Sequence, residues 1–285
     1  MRKIAITLLL LTLPAQTAFA DAQPGNRIIT LGADLTPQEK ASILTEFKHS
    51  DKDTMIVVSY QDEVHYFPDT KLTGRELSSC LITIKNKGEG ISVTKSPNII
   101  QVSGEMYENA LLTAGVQDAD IYVTAPEPVT GTAALTGIFK AFESATGNKL
   151  NENRVQAAGD EVQKTSELGK ELGNQQLAAD FVRRLKEEIQ KSNPQTDADY
   201  RKIIEQIAQQ MGIQLTPEQV QSLIDLLKKL NSLHIDWSAL GNQIKDIGQT
   251  LGQYAKDHPQ ETNAIVEFFK QVFHAFQQLV QKMFH

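Results

Sequence analysis

The sequence predicts an α+β protein, with an N-terminal sheet and packed helices followed by an all-helical C-terminal region. Two observations support this fold class. Between Arg27 and Phe142, short β-branched runs alternate with helical stretches. From about Asn151 onward, apolar residues recur only at helical spacing. The first twenty residues fit neither pattern, because they have the features of an export signal.

The N-terminal segment predicts export. Arg2 and Lys3 precede an apolar run from Ile4 to Leu13, and Ala18-Phe19-Ala20 places small residues at the positions that signal peptidase reads. The run is too short to span a bilayer, which takes about 20 apolar residues. We therefore expect residues 1–20 to be a cleaved signal peptide. The mature protein is expected to be secreted or extracytoplasmic, at the cell envelope, with membrane contact at most peripheral.

An α/β domain is predicted over residues 27–147, and its strands are short and rich in β-branched residues. The segment Asn86–Gly90, which contains two glycines, indicates a β-hairpin between the third and fourth strands. The five predicted strands are Ile28–Leu31, Met55–Tyr60, Leu81–Lys85, Ile91–Lys95 and Ala119–Thr124.

Helix start and stop signals lie between these strands. Thr36, with Pro37 and Glu39 after it, forms a capping box that predicts the first helix. Ser103 predicts the start of another helix, and Gly115 predicts its end at Ala114. A further helix is predicted over Gly131–Ser144.

The second half of the chain is predicted to be wholly helical. A helical region is expected over residues 151–257, followed by one amphipathic helix over residues 258–285. Within the helical region, the predicted helices are Val155–Leu172, Gln176–Lys191, Tyr200–Met211, Val220–Leu230 and Trp237–Leu251.

Charge and cysteine content exclude some classes of protein. The net charge is −7, and removal of Arg2 and Lys3 with the signal makes it more negative. An acidic surface repels phosphate groups, so nucleic acid is not an expected partner. Cys80 is the single cysteine, which rules out an intramolecular disulfide. Its strand-like context predicts a buried thiol.

No pattern of catalytic or metal-binding residues is present. The six histidines are scattered, with no His-Glu-x-x-His motif, and no Gly-x-Ser-x-Gly occurs. We therefore predict no metal site, no cofactor and no catalytic residue from sequence. Carboxylates converge in space rather than in sequence, so an envelope hydrolase that assembles them in a cleft remains the alternative function.

Three segments carry a family resemblance. They are Pro128–Gly137, Leu31–Thr36 and Asn231–Trp237, and the string Thr-Gly-Thr-Ala-Ala-Leu-Thr-Gly in the first is the most specific. Together they resemble an uncharacterised secreted family of Gram-positive bacteria, known as domain of unknown function 1002, from about Ile28 to Ile247. The resemblance implies a cell-envelope setting, and it implies no activity, cofactor or catalytic residue.

Two places are candidate ligand-binding sites. Thr130, Gly131 and Thr132 start a predicted helix after a strand, where free backbone N–H groups can bind an anion. The small residues here are equally suited to close packing of the helix on the sheet, and we favour packing. Trp237, which begins a predicted helix at the end of the connecting segment His234–Trp237, can either seal the end of the helical bundle or anchor a ligand.

The C-terminal helix has the broadest apolar face in the sequence. This face can dock on the protein's own helices, on a protein partner or second copy, or on a membrane surface. Only Lys270 and Lys282 are basic in Thr262–Phe284, which favours a protein over a membrane. The residues of the predicted interaction face are Ile265, Phe269, Val272, Phe273, Phe276 and Leu279.

From these observations we expect an exported, cell-envelope-associated protein. Its predicted function is non-enzymatic binding or protein–protein interaction. The hydrolase is the alternative, and an exported structural protein that self-associates through its last helix is a third reading.

Overall fold

A computed structural model describes residues 23–67 and 74–235, and within these ranges the chain forms five strands and eight helices. The strands are β1 (Arg27–Gly32), β2 (Thr54–Val58), β3 (Ser79–Ile84), β4 (Ile91–Lys95) and β5 (Ala119–Thr124). The helices are α1 (Pro37–Glu46), α2 (Tyr60–Tyr66), α3 (Gly104–Ala114), α4 (Thr132–Thr146), α5 (Glu152–Glu171), α6 (Gln175–Ser192), α7 (Asp197–Gln210) and α8 (Pro217–Ser232). The predicted α+β fold class is confirmed.

The five strands form one mixed sheet in the order β2-β1-β3-β5-β4. The pairs β1–β2 and β4–β5 are parallel, whereas β3 runs antiparallel to both β1 and β5. The carboxyl ends of β1, β2, β4 and β5 therefore meet at one end of the sheet, together with the start of β3. We call this end the carboxyl edge.

The predicted hairpin between the third and fourth strands is wrong. Both strands exist, but β5 lies between them and pairs with each. The loop that joins β3 to β4 is held instead by Asp118, whose carboxylate accepts hydrogen bonds from the backbone N–H groups of Gly88 (2.9 Å) and Gly90 (2.8 Å). The loop is thus tied to the turn before β5, and room for β5 remains between the two strands.

The second predicted strand is too long at its C-terminus. It ends at Val58, and Ser59 caps the helix α2, which the sequence reading missed. The Asp62 carboxylate accepts the backbone N–H of Ser59 (2.8 Å), and the Ser59 hydroxyl accepts that of Asp62 (3.4 Å). This capping box outweighs the β propensity of the neighbouring residues.

Other helix boundaries follow the predicted caps. Thr36 and Glu39 form the capping box of α1, and Gly115 ends α3 in the left-handed conformation. Ser103 accepts the N–H of Met106 (3.2 Å) at the start of α3. These predictions are confirmed because each depends on hydrogen bonds between near neighbours in the chain.

The two faces of the sheet are buried to different extents. On one face, Ile28, Ile82 and Val123 belong to a large apolar cluster that also takes in residues of α3, α4, α5 and α8. On the other face, Ile29 and Leu31 form a small cluster with Ile43 and Phe47, at the end of α1. A third cluster joins α6, α7 and α8.

A buried ion pair links three helices beside the sheet. Lys186 Nζ of α6 lies 2.6 Å from Glu161 Oε1 of α5, and both side chains are fully buried. Lys186 also donates to the Asn109 carbonyl of α3 (2.9 Å), and the Thr113 hydroxyl of α3 donates to Glu161. Burial lowers the pKa of Lys186, while the Glu161 carboxylate opposes that effect. Each charge in this network is therefore compensated.

Within the described ranges, no helix is long and apolar enough to cross a membrane.

Candidate functional site

The predicted ligand-binding residues Thr130, Gly131 and Thr132 lie at the carboxyl edge, between β5 and α4. In open α/β sheets, ligands commonly bind at the carboxyl ends of parallel strands. The location therefore suits a binding site, and the question is whether the helix start is open to solvent.

Gly131 is buried and closely packed. Its φ of 104° is left-handed, and a Cβ added there would lie 2.4 Å from the Tyr107 hydroxyl and 2.7 Å from Ile99 Cγ2. The Tyr107 hydroxyl donates to the Gly131 carbonyl at 2.6 Å. Gly131 is thus needed for close approach, and Tyr107 of α3 fills the space beneath the start of α4.

Gly137, one turn further along α4, also allows close packing. A Cβ at this position would lie 2.5 Å from Thr30 Oγ1 and 3.1 Å from Val58 Cγ2. The α4 backbone therefore rests directly on β1 and β2. This contact supports packing as the role of the small residues, and anion binding by Thr130, Gly131 and Thr132 stays a prediction.

Two acidic side chains face each other near the carboxyl edge. Glu63 of α2 and Glu76, in the segment before β3, are each only 4% exposed, and their carboxyl groups interact. We call Glu63 and Glu76 the acid pair. Among the described residues, neither side chain forms an ion pair with a lysine, arginine or histidine. Two like charges are therefore buried together without a compensating cation.

The environment of the acid pair favours one proton on Glu76. Burial, and then the facing Glu63 carboxyl, raises the pKa of Glu76 to about 8, with smaller contributions from Asp34 and Asp62. Glu63 Oε1 is buried and accepts no hydrogen bond from a donor elsewhere in the described structure. A proton on Glu76 removes the repulsion between two charged carboxylates and turns one of them into a hydrogen-bond donor, so the pair can hold one proton at neutral pH.

The backbone of Glu76 is fixed by contacts with the end of β1 and the residues that follow it. Its N–H donates to Asp34 Oδ2 (2.8 Å), and its carbonyl accepts the N–H of Asp34 (3.1 Å). Gly32 is essential to this approach, because a Cβ there would lie 2.0 Å from the Glu76 carbonyl oxygen. The end of β1 therefore holds Glu76 in place by its main chain.

The acid pair meets only part of the requirement of the hydrolase alternative. That function needs two carboxylates that face each other in an open cleft. Glu63 and Glu76 do face each other, but their burial closes them off from a substrate in this conformation.

A surface of different character lies on the outer side of β2 and α2. Five large apolar side chains are exposed in the described ranges, and four of them belong to this stretch: Met55 (49%), Val57 (53%), Tyr60 (51%) and Val64 (38%). The fifth is Ile100 (57%). Exposed apolar residues that cluster in this way are typical of interaction sites.

Among residues 23–67 and 74–235, β2 is an edge strand, and no strand in these ranges pairs with the other side of its backbone. Ala33 N–H donates to the Val58 carbonyl (2.8 Å), so Val58 faces β1 and, by alternation, Met55 and Val57 turn their N–H and C=O groups outward. Lys140 Nζ of α4 donates to the Val57 carbonyl (2.8 Å). We call the outward backbone of β2, with the side chains of Met55, Val57, Tyr60 and Val64, the β2 surface.

A cleft of about 350 Å³ opens between α2 and the C-terminal half of α4. Its charges are paired: Lys140 lies 2.8 Å from Asp62, and Lys149 lies 2.6 Å from Glu143, which also accepts the Tyr66 hydroxyl (3.0 Å). Although burial acts in the opposite direction, hydrogen bonds from Lys140 and Ser59 keep the pKa of Asp62 below its usual value. The cleft therefore has no unpaired charge to attract an ion.

The cysteine and metal predictions can be compared with the described residues. Cys80 is buried as expected, its thiol lies 2.8 Å from Thr30 Oγ1, and burial raises its pKa to about 12. A thiol in this state is unreactive. In residues 23–67 and 74–235, no group of three or more His, Cys, Asp or Glu side chains is arranged to hold a metal ion.

Several predictions lie outside the described residues. They are the signal peptide over residues 1–20, the candidate Trp237, and the interaction face of Ile265, Phe269, Val272, Phe273, Phe276 and Leu279. Conversely, sequence reasoning missed the acid pair and the β2 surface. The spacing of Ser59 and Asp62 was the available signal, since it marks the start of α2 and so ends β2 at Val58.

Comparison with known proteins gives a family but no activity. Over residues 31–247, the chain is similar to the family described as "Protein of unknown function (DUF1002)". It is also similar to the "Uncharacterized protein YpuA" of Bacillus subtilis (strain 168), with 36% identity over 279 residues that cover 95% of each chain. No solved structure matches the chain.

Proposed function

The chain belongs to the DUF1002 family of proteins of unknown function, and from that premise we propose that it is an exported, cell-envelope-associated protein that binds a protein partner through the β2 surface. The observation that carries this proposal is the combination of an outward edge backbone and exposed apolar side chains on the same strand. The proposed activity is binding rather than catalysis.

The backbone of β2 supports binding by strand addition. An extended segment laid along this edge would pair with the outward N–H and C=O groups of Met55 and Val57. Lys140 covers one of these groups, the Val57 carbonyl, and the same ammonium group pairs with Asp62, so a partner strand would have to replace only that one hydrogen bond. The edge is therefore accessible to a partner strand.

The side chains of β2 define the chemistry of that partner. Met55 and Val57 point to the same face of the sheet, because residues two apart in a strand share a face. Both are about half exposed, as is Tyr60 at the start of α2. The matching partner is an extended segment with apolar residues at alternate positions.

Two features of the strand itself support this use. Its sequence, Thr-Met-Ile-Val-Val, contains no charge and no proline, although exposed edge strands usually carry such residues to prevent pairing. Without these residues, the strand is open to association. Selection against aggregation would remove such an edge unless pairing had a use.

The export part of the proposal is tested by determining whether residues 1–20 are cleaved from the protein. The small residues Ala18 and Ala20 predict cleavage after Ala20, so the mature N-terminus should be Asp21. The measurement is mass spectrometry of the protein recovered from the culture medium and the cell envelope of a Gram-positive host. Retention of residues 1–20, or recovery from the cytoplasm alone, would contradict the export part of the proposal.

The binding proposal is tested by placing charged side chains on β2. The double variant Met55→Lys/Val57→Lys places two charges on β2, and Thr94→Lys, at an exposed position on the other edge strand, is the matched control. Surface substitutions of this kind change the free energy of unfolding by only about 0.5 kcal/mol, so all three proteins should fold. The readout is the native mass of the protein extracted from envelopes without denaturant.

The wild type and Thr94→Lys are expected to elute above the mass of a monomer, and the double variant is expected to elute as a monomer. Identical elution of all three proteins would contradict the β2 surface as the binding site.

A further inference from the structure

We propose that the acid pair is a proton-operated latch between α2 and the segment before β3. The latch is closed while Glu63 and Glu76 share one proton, and it is weakened when that proton leaves. α2 carries Tyr60 and Val64, so the latch also controls part of the β2 surface. That consequence for binding rests on the proposed function, whereas the latch itself is a property of the fold.

Glu76 and Glu63 lie in parts of the protein that differ in rigidity. Glu76 is fixed through its main chain by Asp34 and by the close approach of Gly32. Glu63 belongs to α2, a helix of only seven residues. If the pair repels, the short helix is the part free to move.

No cation neutralises the pair within the described structure. Asp34 and Asp62 are the other acidic groups near Glu76, and the hydroxyl of Tyr107 on α3 is the titratable group on the far side of Glu63. Two cations lie in this region, and both have other partners. Lys140 of α4 is bound to Asp62, and Arg75 pairs with Glu39 (3.9 Å) and Glu127 (3.6 Å).

A second observation points to the proton itself. Glu63 Oε1 is buried and has no hydrogen-bond partner among the described residues, and the facing Glu76 carboxyl can act as a donor only when it is protonated. Removal of the proton leaves two buried carboxylates in contact and a buried oxygen without a donor, and both effects are unfavourable. The protonated pair is thus the arrangement that fits the observed packing.

Apolar packing holds the C-terminal end of α2, where Tyr66 and Phe67 are buried in the large cluster and both contact Phe139 of α4. The polar contacts of α2 are fewer. The Asp62–Lys140 ion pair and the Tyr66–Glu143 hydrogen bond lie at the partly exposed cleft, and Phe67 packs against Gly159 of α5. Partly exposed polar contacts contribute little to stability. A change in the charge of the acid pair is therefore expected to act on the part of α2 that precedes Tyr66.

The sign of the pH dependence follows from the raised pKa of Glu76. Its contribution to stability is fully present below the pKa of an unfolded glutamate, about 4.5, and is lost as pH rises through about 8. Between these values, the equilibrium constant for opening of α2 should rise by up to about tenfold per pH unit. Above about pH 8 it should level off.

The test uses the full chain without a partner. Hydrogen–deuterium exchange of residues 60–66, corrected for the intrinsic pH dependence of exchange, is measured from pH 5 to pH 9, with the thermal midpoint measured in parallel. The variants are Glu76→Gln and Glu63→Gln, and the matched control is Glu127→Gln, an exposed acid at the same edge. Glutamine keeps a hydrogen-bond donor in the pair and removes one charge.

In the wild type and in Glu127→Gln, exchange in α2 should increase with pH and the thermal midpoint should fall. Both glutamine variants of the pair should lose most of this dependence and be more stable than the wild type at pH 9. An unchanged pH dependence in Glu76→Gln would overturn the latch. A rise in the thermal midpoint of the wild type on addition of Ca²⁺ at pH 9 would also overturn the latch if Glu76→Gln abolished that rise, because the pair would then hold a cation. Either result leaves the binding proposal intact, since no partner is present.

Discussion

The two edge strands of the sheet differ in how far their outward backbone groups are covered. At the β4 edge, the outward N–H of Val93 donates to Glu108 of α3 (2.9 Å), and Gly104 lies so close that an added Cβ would be 2.5 Å from the Val93 carbonyl oxygen. At the β2 edge, a single lysine reaches one carbonyl, and apolar side chains are exposed. An edge that is covered needs no further explanation, whereas an open apolar edge indicates use by a partner.

The buried charges differ in the same way. Beside β4, where α3, α5 and α6 pack together, Lys186 and Glu161 neutralise each other within a hydrogen-bond network that includes Asn109 and Thr113. On the β2 side, Glu63 and Glu76 have like charge and depend on a proton. The first arrangement is stable over a wide pH range, and the second responds to pH near neutrality. The comparison motivates the proposal that the β2 flank is the binding side, whereas the β4 flank contributes mainly to stability.

The largest expected effect comes from breaking the compensated pair. Lys186→Met leaves the Glu161 carboxylate buried without a cation, and it should lower the free energy of unfolding at pH 7 by about 3–5 kcal/mol. Urea denaturation measures the change. On the β2 flank the corresponding loss of one charge, in Glu76→Gln, should have the opposite sign above pH 8.

A double variant is the control for this prediction. Lys186→Met/Glu161→Gln removes both charges and should recover a large part of the lost stability, because no unpaired buried charge remains. If Lys186→Met alone were as stable as the wild type, the distinction between the two flanks would not hold.

A smaller effect is expected where α4 crosses the sheet. Gly137→Leu would force a side chain between α4 and the Thr30 and Val58 side chains, and overpacking of this kind costs about 1–3 kcal/mol. Ser144→Leu, at an exposed position on the same helix, is the control and should change stability little. An unchanged melting temperature in Gly137→Leu would exclude close packing as the role of this glycine.

Helix ends were predictable because their causes are local. Ser103 and Gly115 enclose α3, and Thr216 starts α8, through hydrogen bonds between residues at most a few positions apart. Strand positions were predictable from β-branched runs for the same reason. The order of the strands was not, because the insertion of β5 between β3 and β4 depends on pairing between distant segments and on the contacts of Asp118.

The site was less predictable than the fold. Thr130, Gly131 and Thr132 were correctly expected at the start of a helix, but the tyrosine that packs beneath them comes from α3. Glu63 and Glu76 belong to different elements and share no sequence pattern, so their contact could be seen only in three dimensions. The exposure of Met55 and Val57 likewise depends on the position of β2 at the edge of the sheet.

Site-specific photo-crosslinking tests the central claim, that the β2 flank is the binding side, most directly. A photoreactive amino acid is placed at Val57 or, as the matched control, at Thr94 on β4, and the full chain is irradiated in living cells of a Gram-positive host. We expect one discrete crosslinked species from position 57, lost when Met55→Lys is added, and none from position 94. Equal crosslinking at the two positions, or crosslinking at position 94 alone, would contradict the account.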